Sequence, residues 1–246
     1  YDLLGQLAAE LEGERAPRYR HDSVGRRVWR EDAAGKRTSR YDAAGRLVAR
    51  TTPEGEEAFR YDGAGRLIER RHAAGVDRFG YDGFGRLSSV RRAGQPRVRY
   101  AYDALGRLAS RRVGEAQPTR YVYDGLRLLA EVGPKERLRF YLHGPELDQP
   151  LAVMDEAKRW TFLHADDQGS VLAYTDAEGQ IRARARYDAW GQLLEGPRDL
   201  PLFYAGRPLD PVTGLVAMRA RFYEPSLGRF LTPDPAGLRD GFDPFV

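Results

Sequence analysis

Short runs in which apolar and polar residues alternate recur along the chain: "RLVAR" at 46–50, "RLIER" at 66–70, "RVRYAY" at 97–102 and "TRYVY" at 119–123. Alternation at period two sends successive side chains to opposite faces of a β-strand. The runs are rich in β-branched and aromatic residues and are bounded by Gly-containing turns. That pattern predicts strands of about five to seven residues, an ordinary length. Few stretches carry a helical period. "LGQLAAELEGE" at 4–14 could pass for a short helix, but it falls in the same phase as the other runs and reads as strand.

The turns between the runs repeat almost verbatim. "YDAAGRL" at 41–47 is followed by "YDGAGRL" at 61–67 and "YDGFGRL" at 81–87. Tyr1, His21, Tyr41, Tyr61, Tyr81, Tyr102 and Tyr123 lead successive copies, in steps of 20 or 21 residues. A fixed period of this size signals a repeat array. Each ring is followed by Asp, and Gly comes three residues after most of these Asp residues. Asp at the head of a type I turn accepts hydrogen bonds from amides ahead of it, and Gly tolerates the left-handed conformation that closes it. Weaker Gly turns fall midway, at "EDAAGK", "TPEGE", "HAAGV", "RAGQP" and "RVGEA". A turn about every ten residues gives antiparallel hairpins, and about 24 strands over the chain.

Composition agrees with a thin sheet. Charged residues make up 31% and aromatic residues 11% of the 246, with a mean hydropathy of −0.62. That is polar for a globular domain and too aromatic for disorder. Arg follows the turn Gly in most copies, close enough to cover the repeating rings, at about 0.5–1 kcal/mol for each exposed contact. The net charge of +4 comes almost wholly from Arg, since Lys36, Lys135 and Lys158 are the only lysines. The arginines are spread over every repeat and balanced by 36 acidic residues, which argues against a nucleic-acid-binding stripe. Cysteine is absent, so there is neither a disulfide framework nor thiolate chemistry. No run approaches the length of a membrane-spanning helix and no signal peptide is visible. The chain opens in mid-repeat, which reads as a piece of a longer array.

After about residue 130 the strict period fades, although turn signals persist and "YDAWGQL" at 187–193 repeats the opening pattern. The Y-D-x-x-G-R-L array resembles the YD repeats of the Rhs family, and three later blocks resemble that family's core-associated region. They are "FLHADDQGSVLAYTDAEGQI" at 162–181, "YAGRPLDPVTGL" at 204–215 and "RARFYEPSLGRFLTPDPAGL" at 219–238. The chain departs from the family pattern at "VAM" (216–218), where aromatic residues usually follow T-G-L, and at "FYEP" (222–225). The family's second D-P-x-G does not occur before the end at "GFDPFV".

The resemblance implies an all-β fold: short antiparallel hairpins spiralling as a single sheet into part of a hollow cocoon. It divides the chain into a regular array (1–130), an irregular continuation of the shell (131–205) and the start of the C-terminal autoproteolysis segment (206–246). Such shells enclose a cleaved C-terminal toxin in bacterial polymorphic toxins, secreted or delivered by a secretion system such as type VI. Insecticidal toxin complexes and teneurins share the architecture. The partners implied are the enclosed toxin, further shell segments or a partner chain, and a secretion spike or chaperone. A ribbon of about 24 strands at about 4.8 Å each is about 115 Å wide. Closed into one ring it would be about 37 Å across, too small for an ordinary toxin domain. These residues are therefore expected to form only part of a shell.

The chemistry implied is self-cleavage by paired carboxylates, which split their pKa values when held together. By resemblance Asp234 in "PDPAG" is the first catalytic aspartate, with its partner downstream and this chain alone inactive. Asp240 and Asp243 are nearby acids, and Arg229 or Arg239 could polarise the site. From spacing alone, Asp234 reads rather as a D-P turn residue capping the next amides; only the resemblance makes it catalytic. His143, His164, Asp166 and Asp167 fit no standard metal-ligand spacing, and no nucleotide-binding or nucleophile motif is present; no metal or cofactor is expected. The runner-up reading is a cell-surface stalk or adhesin that binds carbohydrate through exposed aromatics.

Overall fold

The computed structural model describes residues 2, 6–10, 16–197, 200–235 and 243–245. Seventeen strands form one sheet. They are β1 (Arg18–His21), β2 (Arg27–Asp32), β3 (Gly35–Tyr41), β4 (Leu47–Thr52), β5 (Gly55–Tyr61), β6 (Leu67–His72), β7 (Gly75–Tyr81), β8 (Leu87–Arg91) and β9 (Val98–Tyr102). They continue as β10 (Leu108–Val113), β11 (Thr119–Asp124), β12 (Arg127–Val132), β13 (Leu138–His143), β14 (Pro150–Asp155), β15 (Trp160–Ala165), β16 (Val171–Thr175) and β17 (Ile181–Arg184). Pairing is antiparallel between strands consecutive in the chain from β1 to β7 and from β8 to β17. Two smaller sheets follow: β18 (Arg186–Tyr187) with β19 (Leu193–Glu195), and the meander β20 (Leu202–Tyr204), β21 (Arg207–Leu209), β22 (Val216–Met218), β23 (Arg221–Glu224) and β24 (Arg229–Phe230). The stretch 4–14 lies partly outside the described residues; within it Ala9 makes an isolated bridge to Arg18.

The repeated turn explains why the same seven residues recur. In the copy at 62–66, the Gly65 amide donates to Asp62 O and the Asp62 amide to Arg66 O, each at 3.0 Å. Asp62 Oδ1 accepts from the amides of Ala64 and Arg66, and Oδ2 accepts from Arg66 Nε at 2.7 Å. Gly65 sits at φ +78°, a conformation that costs a side chain about 1–2 kcal/mol. The arginine then covers the ring of the following copy: Arg46 lies 5.7 Å from the Tyr61 ring, Arg86 4.5 Å from Tyr102 and Arg107 5.1 Å from Tyr123. The ring's hydroxyl reaches back across the sheet. Tyr61 donates to Leu47 O at 3.0 Å and Tyr102 to Leu87 O at 2.6 Å. The copies led by Tyr41, Tyr61 and Tyr102 are thus tied to their neighbours by a cation over a ring and by a hydroxyl on a carbonyl.

The chain divides into two compact units. The first holds residues 1–79, 92–94 and 229–246. One face of its sheet carries Tyr61, Leu67 and Leu47 near the Asp-Gly turns, then Phe59 and Arg70, then Glu57 and Asp77. That face is buried: Leu47, Phe59, Leu67 and Phe79 lie at 6% exposure or less. Its charges are paired. Glu57 accepts from Arg50 at 2.7 Å and Arg70 at 2.6 Å, and Asp77 from Arg92 at 2.9 Å. On the other face Glu69 stands among Arg60, Arg71 and Arg78.

The second unit holds residues 80–91 and 95–228. Its core is apolar and aromatic. Leu128, Tyr141, Val153, Leu163, Val171 and Tyr174 from the large sheet pack with Leu202, Phe203, Leu209 and Val216 from the β20–β24 meander. Five further tyrosines, Tyr121, Tyr123, Tyr187, Tyr204 and Tyr223, pack against it half-buried.

Candidate functional site

The C-terminal block that carries Asp234 is seated on the repeat turns of the first unit. Arg229 is 3% exposed. Its Nη2 donates to Gly45 O at 2.8 Å and to the Asp243 carboxylate at 3.1 and 3.3 Å. Its guanidinium lies between two rings, 5.0 Å from Tyr41 and 4.7 Å from Phe245. Among the described residues, Arg229 Nε is buried without a hydrogen-bond partner, and the two rings face it on that side. Asp243 Oδ1 also accepts from the Phe245 amide at 2.9 Å. Phe245 meets Tyr61 edge-on at 6.0 Å. Burial pushes the Tyr61 hydroxyl up to about 12, against the opposing pull of the Arg229 charge.

Backbone pairing completes the arrangement. The Phe230 amide donates to Phe245 O at 2.8 Å, the Asp234 amide to Pro244 O at 2.7 Å, and the Leu67 amide to Leu231 O at 2.9 Å. Asp234, half-buried between Pro233 and Pro235, is therefore held one residue away from Asp243 in the pairing. The structure brings Asp234, Asp243 and Arg229 to one place, with the Asp243 carboxylate engaged by Arg229 and by a backbone amide. Asp240 and Arg239 lie outside the described residues.

A second charged clamp lies in the other unit. Asp210, in the "LDPVTG" turn, accepts a two-pronged contact from Arg111, both prongs at 2.7 Å, and the Tyr100 hydroxyl at 2.6 Å. The amides of Val212 and Thr213 complete its shell. Burial opposes its charge, but Arg111 and Tyr100 overcome it and hold the carboxyl below the usual range. Burial next to Asp210 drives the Tyr100 hydroxyl well upward.

Other residues singled out by type have structural partners. His143 Nε2 donates to Leu128 O at 2.7 Å, and His164 Nε2 is 2.9 Å from the Thr175 hydroxyl. Asp166 caps the amides of Gln168 and Ser170. Among the described residues, no three acidic or histidine side chains are grouped to hold a metal ion, and no helix is long and apolar enough to cross a membrane.

The teneurin YD-shell family model matches residues 1–244. The chain belongs to the teneurin YD-shell family. Relatives of this YD-shell chain include double-stranded DNA deaminase toxin A of Burkholderia cenocepacia, 37% identical over 99 residues, 36% of this chain and 7% of the relative. The tRNA3(Ser)-specific nuclease WapA of Bacillus spizizenii is 36% identical over 106 residues, 41% of this chain and 4% of the relative. The chain spans less than half the length of the curated relatives it matches. The crystal structure of TcdB2-TccC3-Cdc42 superposes on 94% of this chain with a TM-score of 0.56 at 17% identity; that covers 16% of the solved chain. The likeness is one of fold.

For a YD-shell chain, the expected repeat turns stand where the pattern puts them. The burial of Arg229 and the Asp210 clamp were not foreseen. The signal for Asp210 was an Asp heading a short Pro- and Gly-containing turn within a quoted block; its partner Arg111 looks like every other strand arginine.

Proposed function

We propose that these residues form part of a shell wall enclosing the C-terminal toxin of an exported bacterial polymorphic toxin. The observation that carries this reading is the YD-shell match along residues 1–244 in a chain whose relatives include named bacterial toxins. Further shell segments complete the wall, and a secretion spike or chaperone engages the parent before export.

On this reading Asp234 supplies one of two carboxylates that cut the chain ahead of the toxin. The ionised member takes a proton from water as the oxygen attacks the scissile carbonyl. The protonated member gives its proton to the leaving amide nitrogen, so charge and protons balance. Asp243, already paired to Arg229, anchors the segment. The second carboxylate comes from elsewhere in the parent polypeptide.

The test is expression of the complete polypeptide with Asp234→Asn. Loss of a C-terminal fragment on a denaturing gel, with the shell still folded by circular dichroism, is the expected outcome. Unchanged cleavage removes Asp234 from the reaction. Protease digestion of the native parent tests enclosure separately: the toxin portion resists digestion if it is enclosed.

A further inference from the structure

Three alternate turns in the second unit hold large apolar residues out into solvent. Phe84, at the tip of the β7–β8 hairpin, is 86% exposed; Leu105, at the β9–β10 tip, is 77% exposed; Leu126, at the β11–β12 tip, is 53% exposed. Single exposed apolar residues are common and need no explanation. Here they occupy corresponding places on adjacent hairpins. Alternate turns of a meander lie at the same end of its strands, so these tips follow one another two strands apart, about 10 Å per step.

Arginines tie the row together. Arg86 Nη1 comes within 3.9 Å of where a Cβ on Gly106 would stand. Arg107 Nη1 donates to Gly125 O at 2.6 Å, and Arg127 Nη2 to Pro145 O at 2.6 Å. The Arg86 guanidinium lies 4.9 Å from the Phe84 ring, yet the ring stays almost wholly open.

The first unit shows what such a row can carry. Its tips bear Ala44 and Ala64 where the second unit has Phe84 and Leu105, and an extended segment crosses them. Arg229 bonds Gly45 O. Leu231 O accepts from the Leu67 amide, and Pro233 lies 3.6 Å from the Cβ position of Gly65. The segment passes from one tip to the next in two to four residues. Three residues of extended chain span about 10 Å, which matches the tip spacing.

We propose that Phe84, Leu105 and Leu126 are the docking row for a second cross-tip segment: an extended stretch of the same parent polypeptide, outside residues 1–246, with apolar side chains at a stride of about three residues. Small tips let a strand lie close on the backbone, as at Gly45. Large apolar tips interdigitate with apolar side chains of the crossing strand and leave water on binding. The inference rests on the reading that these residues belong to a longer shell polypeptide. It does not depend on self-cleavage.

The test places the photocrosslinker p-benzoylphenylalanine at position 84, and separately at 105, in the complete polypeptide. Glu115, on a turn at the opposite end of the strands, serves as control. Both tip positions are expected to crosslink within the same chain to one contiguous peptide, at sites about three or four residues apart, while the control does not. Crosslinks to unrelated peptides, to a second copy of the chain, or none at all would overturn the proposal. Protease resistance of the toxin portion, read in the same preparation, reports the enclosure reading independently.

Discussion

The two units build the same sheet and bury different chemistry on it. In the first, the covered face alternates Phe59 and Phe79 with the paired charges of Arg50, Glu57, Arg70 and Asp77. In the second, the β20–β24 meander closes over Tyr141, Val153, Leu163 and Tyr174. Each unit also receives charged residues from the later blocks, among them Arg229 in the first and Asp210 in the second. Asp210 is fully provided for: two prongs from Arg111, a hydroxyl and two amides. Arg229 has a carboxylate and a carbonyl, with rings in place of a partner for Nε. The turn scaffold is indifferent to what its faces bury, because the repeat turns satisfy their own backbone through Asp and Gly. What differs is how strongly each later block is fastened.

The largest effect is expected at Asp210. Asp210→Ala leaves Arg111 buried without its partner and strips Tyr100 of its acceptor. Breaking a buried pair from one side costs about 3–5 kcal/mol. Hydrogen exchange should show that loss in β9, β10 and the β20–β24 meander, with the first unit's strands unchanged. The sign with pH follows from the lowered carboxyl. Its contribution is fully present above the unfolded value, about 3.9, and is lost as pH falls through the folded value. Wild type and Asp210→Ala should therefore differ at pH 7 and converge in strong acid. Equal protection at pH 7 would mean that the clamp does not hold the meander down.

A smaller, local effect is expected at Phe245, which is 2% exposed and packs on Arg229 and Tyr61. Truncating a buried Phe costs about 3–5 kcal/mol when the whole fold depends on it. Here the loss should be confined to the crossing segment. Phe245→Ala should speed exchange at the amides of Phe230, Leu67 and Asp234 by at least tenfold and leave global unfolding nearly unchanged. If global stability falls as much as for Asp210→Ala, the two blocks are fastened equally and the contrast between units fails.

The strands and turns were legible because their determinants are local: Asp62, Gly65 and Arg66 sit within five residues and act on one another. The same holds for the arginine-covered rings, which the repeat places one copy apart. The clamps were not legible. Arg229 meets Gly45 across 184 residues and Tyr100 meets Asp210 across 110; no period relates those positions. The tyrosine hydroxyls that reach back to Leu47 O and Leu87 O escaped notice for another reason. The repeat marks the ring, whereas the acceptor is a backbone carbonyl with no sequence signature. For the candidate site, resemblance marked Asp234, but the company it keeps with Asp243 and Arg229 is a property of the folded segment.

The smallest effect concerns Glu131, a carboxylate whose burial wins. Glu131 lies across from Tyr121 on one side and Arg139 on the other, with Arg139 Nη1 at 3.7 Å. Burial raises its pKa above the ordinary 4.5, and the nearby Tyr141 hydroxyl and Arg139 only partly offset it. An acid with a raised folded pKa costs stability once pH exceeds its unfolded value, because the fold then either ionises it in a dry place or holds its proton against solvent. Glu131→Gln removes that cost and keeps a neutral polar group beside the Tyr141 hydroxyl. The variant should melt slightly higher than wild type at pH 7, by no more than about 1 kcal/mol, the scale of one net hydrogen bond. The gain should vanish near pH 4, where the unfolded acid also holds its proton. In the first unit the sign should reverse. Glu57, whose buried carboxyl Arg50 and Arg70 hold below the ordinary range, should lose stability at pH 7 on change to Gln. Thermal melts of the two Gln variants over the same pH series test whether burial on this sheet penalises a carboxylate wherever arginine does not bracket it.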